Sequence, residues 1–300
     1  MVGEIKFGSI SDTIQPKKVE TSTEKGIMPD ISDMRKLLPT EEVEKMIAET
    51  TTDDNIEIGL SCMIIGQNGT GKSGITQDYV CNLPKKVIII DLDGHNVRLL
   101  KTYHIEEYKS KKVVVLQPFS MKENAETQDV SSDYVATFSK IKAIIKYVSD
   151  HHEEYSAIVL DGMSELLKYA ENQMRMDKHL TPDGGVEQRY WKNRADKFRD
   201  VLDGMRNIPK IDKIYVAQED FIIKEKTAMI KVGTHQLMAQ RILCRKIETV
   251  LPNNGGNIIE FVAKIDKSKF NLSLEGKEIK FGRVEKGISS WDTSNIFKGL

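Results

Sequence analysis

Gly66-Gln67-Asn68-Gly69-Thr70-Gly71-Lys72-Ser73 matches the pattern G-x-x-x-x-G-K-[ST] at every fixed position and carries an additional glycine at 69. The eight residues follow an apolar run at 60–65 that reads as a strand, and they open 73–81, which reads as a helix. A strand, a glycine-rich turn and a helix start form the setting this spacing requires. Glycines let successive backbone N–H groups turn inward around a phosphate, and the positive end of the helix dipole favours the same anion. In this pattern Lys72 reaches the β and γ oxygens of a triphosphate, and the Ser73 hydroxyl ligates Mg²⁺.

Outward from this loop, short apolar runs recur at 56–65, 87–90, 113–116, 157–160 and 214–217. All but the first are about four residues long and bounded by polar residues, as strands buried on both faces are. Helical periodicity fills 134–148 and 191–205. Strands alternating with helices predict an α/β fold, a mainly parallel sheet flanked by helices. The last 85 or so residues change character: 221–223 and 228–232 read as a hairpin, 236–247 as a helix, and 258–265 and 278–281 as antiparallel strands that extend the sheet. Residues 1–40 hold few large apolar side chains and read as a flexible arm. Pro39-Thr40-Glu41-Glu42-Val43 then reads as a helix start, leaving 41–300 as the main domain.

Composition narrows the class without choosing a partner. The 44 Lys and Arg nearly cancel the 45 Asp and Glu, so any nucleic-acid site is a local patch. Cys62, Cys81 and Cys244 are far apart and form neither a zinc pattern nor a disulfide framework, which predicts a reducing, cytoplasmic setting. No apolar run reaches the ~18 residues of a membrane-crossing helix, and MVGEIKFGSI does not read as a signal peptide.

Acidic strand ends supply the rest of a phosphoryl-transfer site. The run 157–160 ends in Asp161, which would fix Mg²⁺ through a bound water or else simply cap the next helix. The run 87–90 ends in Asp91-Leu92-Asp93 before a glycine; either acid could orient an attacking water, or both could be solvated turn residues. No NKxD-like motif for reading guanine is present.

These segments together resemble the RecA-like P-loop ATPases, most closely the compact phage proteins associated with single-strand annealing. The likeness covers roughly residues 55–290 and keeps the family's order: the loop at 66–73, the strand ending at Asp93, the strand ending at Asp161, and Ile214-Tyr215-Val216-Ala217-Gln218. It implies that Gln218 senses the γ-phosphate and that Asp93, where relatives carry Glu, is the catalytic acid. It also implies that Lys267 and Lys269, in Lys264-Ile265-Asp266-Lys267-Ser268-Lys269-Phe270, act on the ATP site of a neighbouring subunit in a filament or ring. A plain edge strand guarded by lysines is the other reading of that segment.

By the same likeness, single-stranded DNA lies against two loops. One is 174–191, with Arg175, Lys178, Arg189, Tyr190 and Trp191; the other is 219–234, with Lys224 and Lys226. Mixed cations and rings suit single strands, and equally suit a solvated surface with Tyr190 and Trp191 packed beneath it. The resemblance therefore implies an Mg-ATP-dependent, DNA-stimulated ATPase in phage recombination, annealing or replication. A hexameric helicase or packaging motor shares every site residue. A loader or regulatory protein with little turnover, docking a replication or recombination protein through its arm, is the third reading.

Overall fold

The apolar runs become strands because each is short, rich in β-branched residues and closed by a polar residue. A computed structural model describes residues 59–123, 130–181, 184–219, 240–250, 257–285 and 288–300. It begins with β1 (Ser61–Gly66), α1 (Lys72–Cys81), β2 (Lys86–Asp91), α2 (Asn96–Tyr103), α3 (Ile105–Lys109) and β3 (Val113–Leu116). A small ribbon, β4 (Met121–Glu123) with β5 (Val130–Ser132), leads into α4 (Tyr134–Asp150) and β6 (Tyr155–Asp161). Next come α5 (Met163–Asp177), α6 (Trp191–Arg206), β7 (Asp212–Gln218), β8 (Gln240–Val250), β9 (Asn257–Ser268), β10 (Glu278–Glu285) and β11 (Ile288–Trp291).

The large sheet has nine strands in the order β11-β10-β9-β8-β1-β7-β6-β2-β3. From β8 to β3 every pairing is parallel, and β9, β10 and β11 add antiparallel strands at one edge. The expected α/β class is thus the observed one. Helices α4, α5 and α6 cover one face through Ile141, Leu166, Phe198 and Leu202. Helices α1 and α2 cover the other through Ile75, Val80 and Leu100, where Phe261 and Phe281 of the antiparallel edge also pack. Both faces are dry, which is why the central strands read as continuous apolar runs.

Register decides what meets at the top of the sheet. Gly66 lies opposite Gln218, and Asp91 opposite Asp161, so the ends of β1, β7, β6 and β2 stand in one row at their carboxyl edge.

One expected element is corrected. The sequence pattern predicts a helix over 236–247, but from Gln240, where the described residues resume, the chain is β8, paired parallel with β1. Gln240, Ile242 and Cys244 are buried while Arg241, Leu243 and Arg245 are less so, a period of two that crowded apolar residues concealed. The expected hairpin at 221–232, the arm at 1–40 and the helix start at Pro39 lie outside the described residues.

Tyr215 tests the packing of the α5–α6 face. Its ring is fully buried, and its hydroxyl has no hydrogen-bond partner among the described residues. Removing both atoms of an unmet hydroxyl relieves a desolvation penalty of about 1–3 kcal/mol. Tyr215→Phe is expected to be neutral or stabilising in urea unfolding, and a loss of more than about 1 kcal/mol would reveal a partner for that hydroxyl.

Candidate nucleotide-binding site

The phosphate loop is built by backbone geometry. Gly71 precedes α1 at φ 84°, a left-handed conformation that side chains resist. No side chain among the described residues caps the first turn of α1, and no acid stands in that turn. Helix α4, by contrast, is closed by Asp133, whose carboxylate accepts from Ala136 N at 2.9 Å. The amino-terminal N–H groups of α1 are therefore left for an anion. Thr70 braces the loop from below, its hydroxyl donating to the Gln67 carbonyl at 2.8 Å. Lys72 Nζ donates to the same carbonyl at 2.8 Å, which holds the ammonium over the loop. Burial lowers the pKa of Lys72, while Asp161, Asp93 and Glu219 are among the neighbours that oppose the shift.

Asp161 is 1% exposed and is the pivot of a buried polar network. Its Oδ2 accepts from Ser73 Oγ at 2.8 Å and from Asn96 Nδ2 at 2.9 Å. Its Oδ1 has no partner among the described residues. Asn96, at the start of α2, also donates through Nδ2 to Asp91 Oδ1 at 3.0 Å, and its own Oδ1 accepts from Gln77 Nε2 at 2.8 Å. Burial pushes the Asp161 carboxyl up to about 6; Asp93 and Asp91 add to the rise, and the bonds from Asn96 and Ser73 oppose it.

The structure separates the two acids after β2. Asp91 is fully buried, and its oxygens accept from Gly94 N, Asn96 N, Asn96 Nδ2 and Gln117 Nε2. It holds the β2–α2 turn closed and cannot meet an attacking water, so its assignment as a catalytic acid is corrected. Asp93 is exposed, and its carboxylate rests on Gly162. A Cβ at Gly162 would come within 2.8 Å of Asp93 Oδ1, and that residue stands at φ 101°. Asp93 thereby lies beside the turn that follows Asp161. Its pKa is raised by partial loss of water, then by the like charges of Glu165 and Asp91.

Other candidates fall as follows. Gln218 stands opposite Gly66, its backbone pinned by Ser164 Oγ, which accepts from Gln218 N at 3.1 Å and donates to Gln218 O at 3.2 Å. Lys267 pairs in register with Arg241, three residues before Cys244, the partner of Gly66. Lys267 and Lys269 thus lie toward the far end of the sheet from their own chain's phosphate loop. Arg175, expected at a nucleic-acid surface, is instead committed to Glu171 and to the carbonyls of Thr181 and Gly184. Lys178 and Arg189 flank the Tyr190 ring at 5.5 and 4.9 Å, and Arg194 covers Trp191 at 4.3 Å. Lys224 and Lys226 lie outside the described residues.

Sequence reasoning passed over Asn96, Gln77, Gln117 and the Arg245–Glu219 ion pair. Glu219 is buried, and its N–H donates to the Gly66 carbonyl at 2.9 Å, tying β7 to the base of the loop. Amides and ion pairs that join separate elements leave no local pattern to read.

The donor set fits a hard divalent cation shared with phosphate. A hydroxyl and a buried carboxylate oxygen without a partner match the way Mg²⁺ is held, through one or two protein groups, waters and phosphate oxygens. Fold and site together define a P-loop nucleotide-binding protein. A family model described as an AAA domain matches residues 58–241, well over half of the 300, and the chain belongs to that family of P-loop ATPases. No curated protein matches the chain.

Asp161 also makes the site sensitive to pH. Its folded pKa, about 6, exceeds the ordinary 3.8, so the stability it governs is lost as pH rises through that interval. A bound cation reverses this by favouring the ionised form. The rise in melting temperature caused by Mg-ATP is expected to be larger at about pH 7.5 than at about pH 5. Asn96→Asp adds a third carboxylate and should move the midpoint of that dependence upward. An increment independent of pH would contradict the role of Asp161, and an unmoved midpoint that of Asn96.

Proposed function

We propose that this chain is an Mg-dependent ATPase of the RecA-like kind that works on single-stranded DNA in phage recombination, annealing or replication. The observation that carries the ATPase reading is Asp161, whose Oδ2 is held by Ser73 in the first turn of α1 and whose Oδ1 has no partner among the described residues, with Asp93 resting on the next residue, Gly162. In this reading Lys72 and the first-turn N–H groups of α1 hold the phosphates, and Ser73 and Asp161 hold the cation. When bound, Mg²⁺ neutralises charge on the β and γ oxygens. Asp93 orients a water for in-line attack on the γ-phosphorus and takes up its proton as the bond to the ADP oxygen breaks. Its raised pKa brings the carboxylate nearer to the working pH of a general base.

Support for the RecA-like branch comes from the row of strand ends and from β8, a further parallel strand followed by an antiparallel edge. The position of Lys267 and Lys269, away from their own loop, is what a role in a second copy's site requires. DNA binding is supported by Tyr190 and Trp191, whose rings carry cations from Lys178, Arg189 and Arg194. Rings with cations at their faces stack bases while the charges follow phosphates.

Asp93→Asn should lower turnover by at least about 100-fold while Mg-ATP affinity stays within about twofold, because the residue acts on the water and not on the phosphates. Retained turnover would remove Asp93 from the mechanism. Oligo-dT is expected to raise the wild-type ATPase rate and to bind more tightly at low salt. No stimulation together with no binding would overturn the DNA role and leave the ATPase reading standing.

A further inference from the structure

The family match ends at residue 241, and the antiparallel strands beyond it carry an aromatic group that hydrolysis does not use. In register, Gly282 of β10 lies between Phe261 of β9 and Trp291 of β11. A Cβ on Gly282 would sit 2.4 Å from Cζ3 of Trp291, so the bare glycine lets the two outer rings meet above it, centroids 4.7 Å apart. The register of β10 slips between Lys280 and Gly282, which makes Phe281 the extra residue of a bulge. Its ring joins the same group, 6.1 Å from Phe261 and 6.2 Å from Trp291. Bulges re-aim side chains next to functional sites, and this one aims at the phosphate loop: a Cβ on Gly71 would lie 3.0 Å from the Phe281 ring.

The level of the row is also informative. Phe261 pairs with Lys246, two residues beyond Cys244, and Cys244 is the partner of Gly66. The rings therefore stand past the end of β1, and Phe261 and Phe281 pack on the same face as α1. Cover for a strand glycine explains the inner edge of Trp291. It does not explain why the indole is 49% exposed next to Phe281. A second exposed aromatic, Tyr103, is 71% exposed at the carboxyl end of α2, far along that helix from Asn96 at the site.

We propose that Trp291, backed by Phe261 and Phe281, is the platform on which the base of the nucleotide stacks. This rests on the reading of 66–73 as a triphosphate site. Phosphates fixed at the start of α1 leave the sugar and base to extend away from the loop, and Phe281 connects that loop to the open indole. Stacking on a ring accepts any base by its π-face, so the platform supplies affinity for a nucleoside and not identity of the base.

Calorimetry on the full chain with Mg-ATP and with Mg-tripolyphosphate separates base from phosphates. Trp291→Ala should weaken ATP by about tenfold or more and leave tripolyphosphate unchanged, and Trp291→Phe should keep most of the ATP affinity. Trp291→Leu, which still covers Gly282 but has no ring, should behave as the alanine variant does and guards against misfolding. ATP binding unchanged in both ringless variants would overturn the platform, as would equal weakening of both ligands. If the wild type binds ATP no better than tripolyphosphate, the platform fails while the phosphate site stands. If it binds neither, the phosphate site itself fails and the platform with it.

Discussion

The Asp161 carboxylate, buried with one oxygen held and the other left open, is the constraint around which the site is arranged. A charge in that position is costly unless it is paired or hydrogen-bonded. Ser73 and Asn96 share one oxygen, and Asn96 is itself gripped by Asp91 and Gln77. The partners come from α1, α2 and β2, so these elements and β6 must take one relative position for the network to close. The oxygen without a partner among the described residues is then open to a ligand, and burial raises the carboxyl to about 6.

The sheet order explains how the demand is met beside the phosphate loop. β7 lies between β1 and β6, so the loop after β1 and the acid after β6 are two strands apart, and α1 brings Ser73 across that gap. Gly162 then admits Asp93 from the neighbouring strand. In the proposed mechanism, phosphate grip, metal position and water-orienting acid come from three separate turns at one edge of the sheet. The antiparallel strands add a fourth contribution from outside the matched family segment, through the bulge that turns Phe281 against Gly71.

What could be read beforehand follows from where the chemistry resides. The loop at 66–73 was legible because its function is a property of adjacent backbone groups, and the central strands because both faces are buried. Without the family likeness, Asp91 and Asp93 could not be told apart, since the strand end places both acids correctly and only the turn decides which is consumed internally. Residues 236–247 misled because clustered apolar side chains mimic a helix when the partner strand is unknown. Asn96, Gln77 and Gln117 carry no spacing at all, being brought together by the fold. The same holds for Trp291 and Phe281, whose placement depends on one slipped register.

A structure of the full chain with Mg²⁺ and a non-hydrolysable ATP analogue tests the central claim most directly. The account predicts phosphates within the turn from Gly66 to Ser73, and the cation's water shell against Oδ1 of Asp161. An analogue bound elsewhere, or a cation that leaves Oδ1 of Asp161 without a partner, would contradict it.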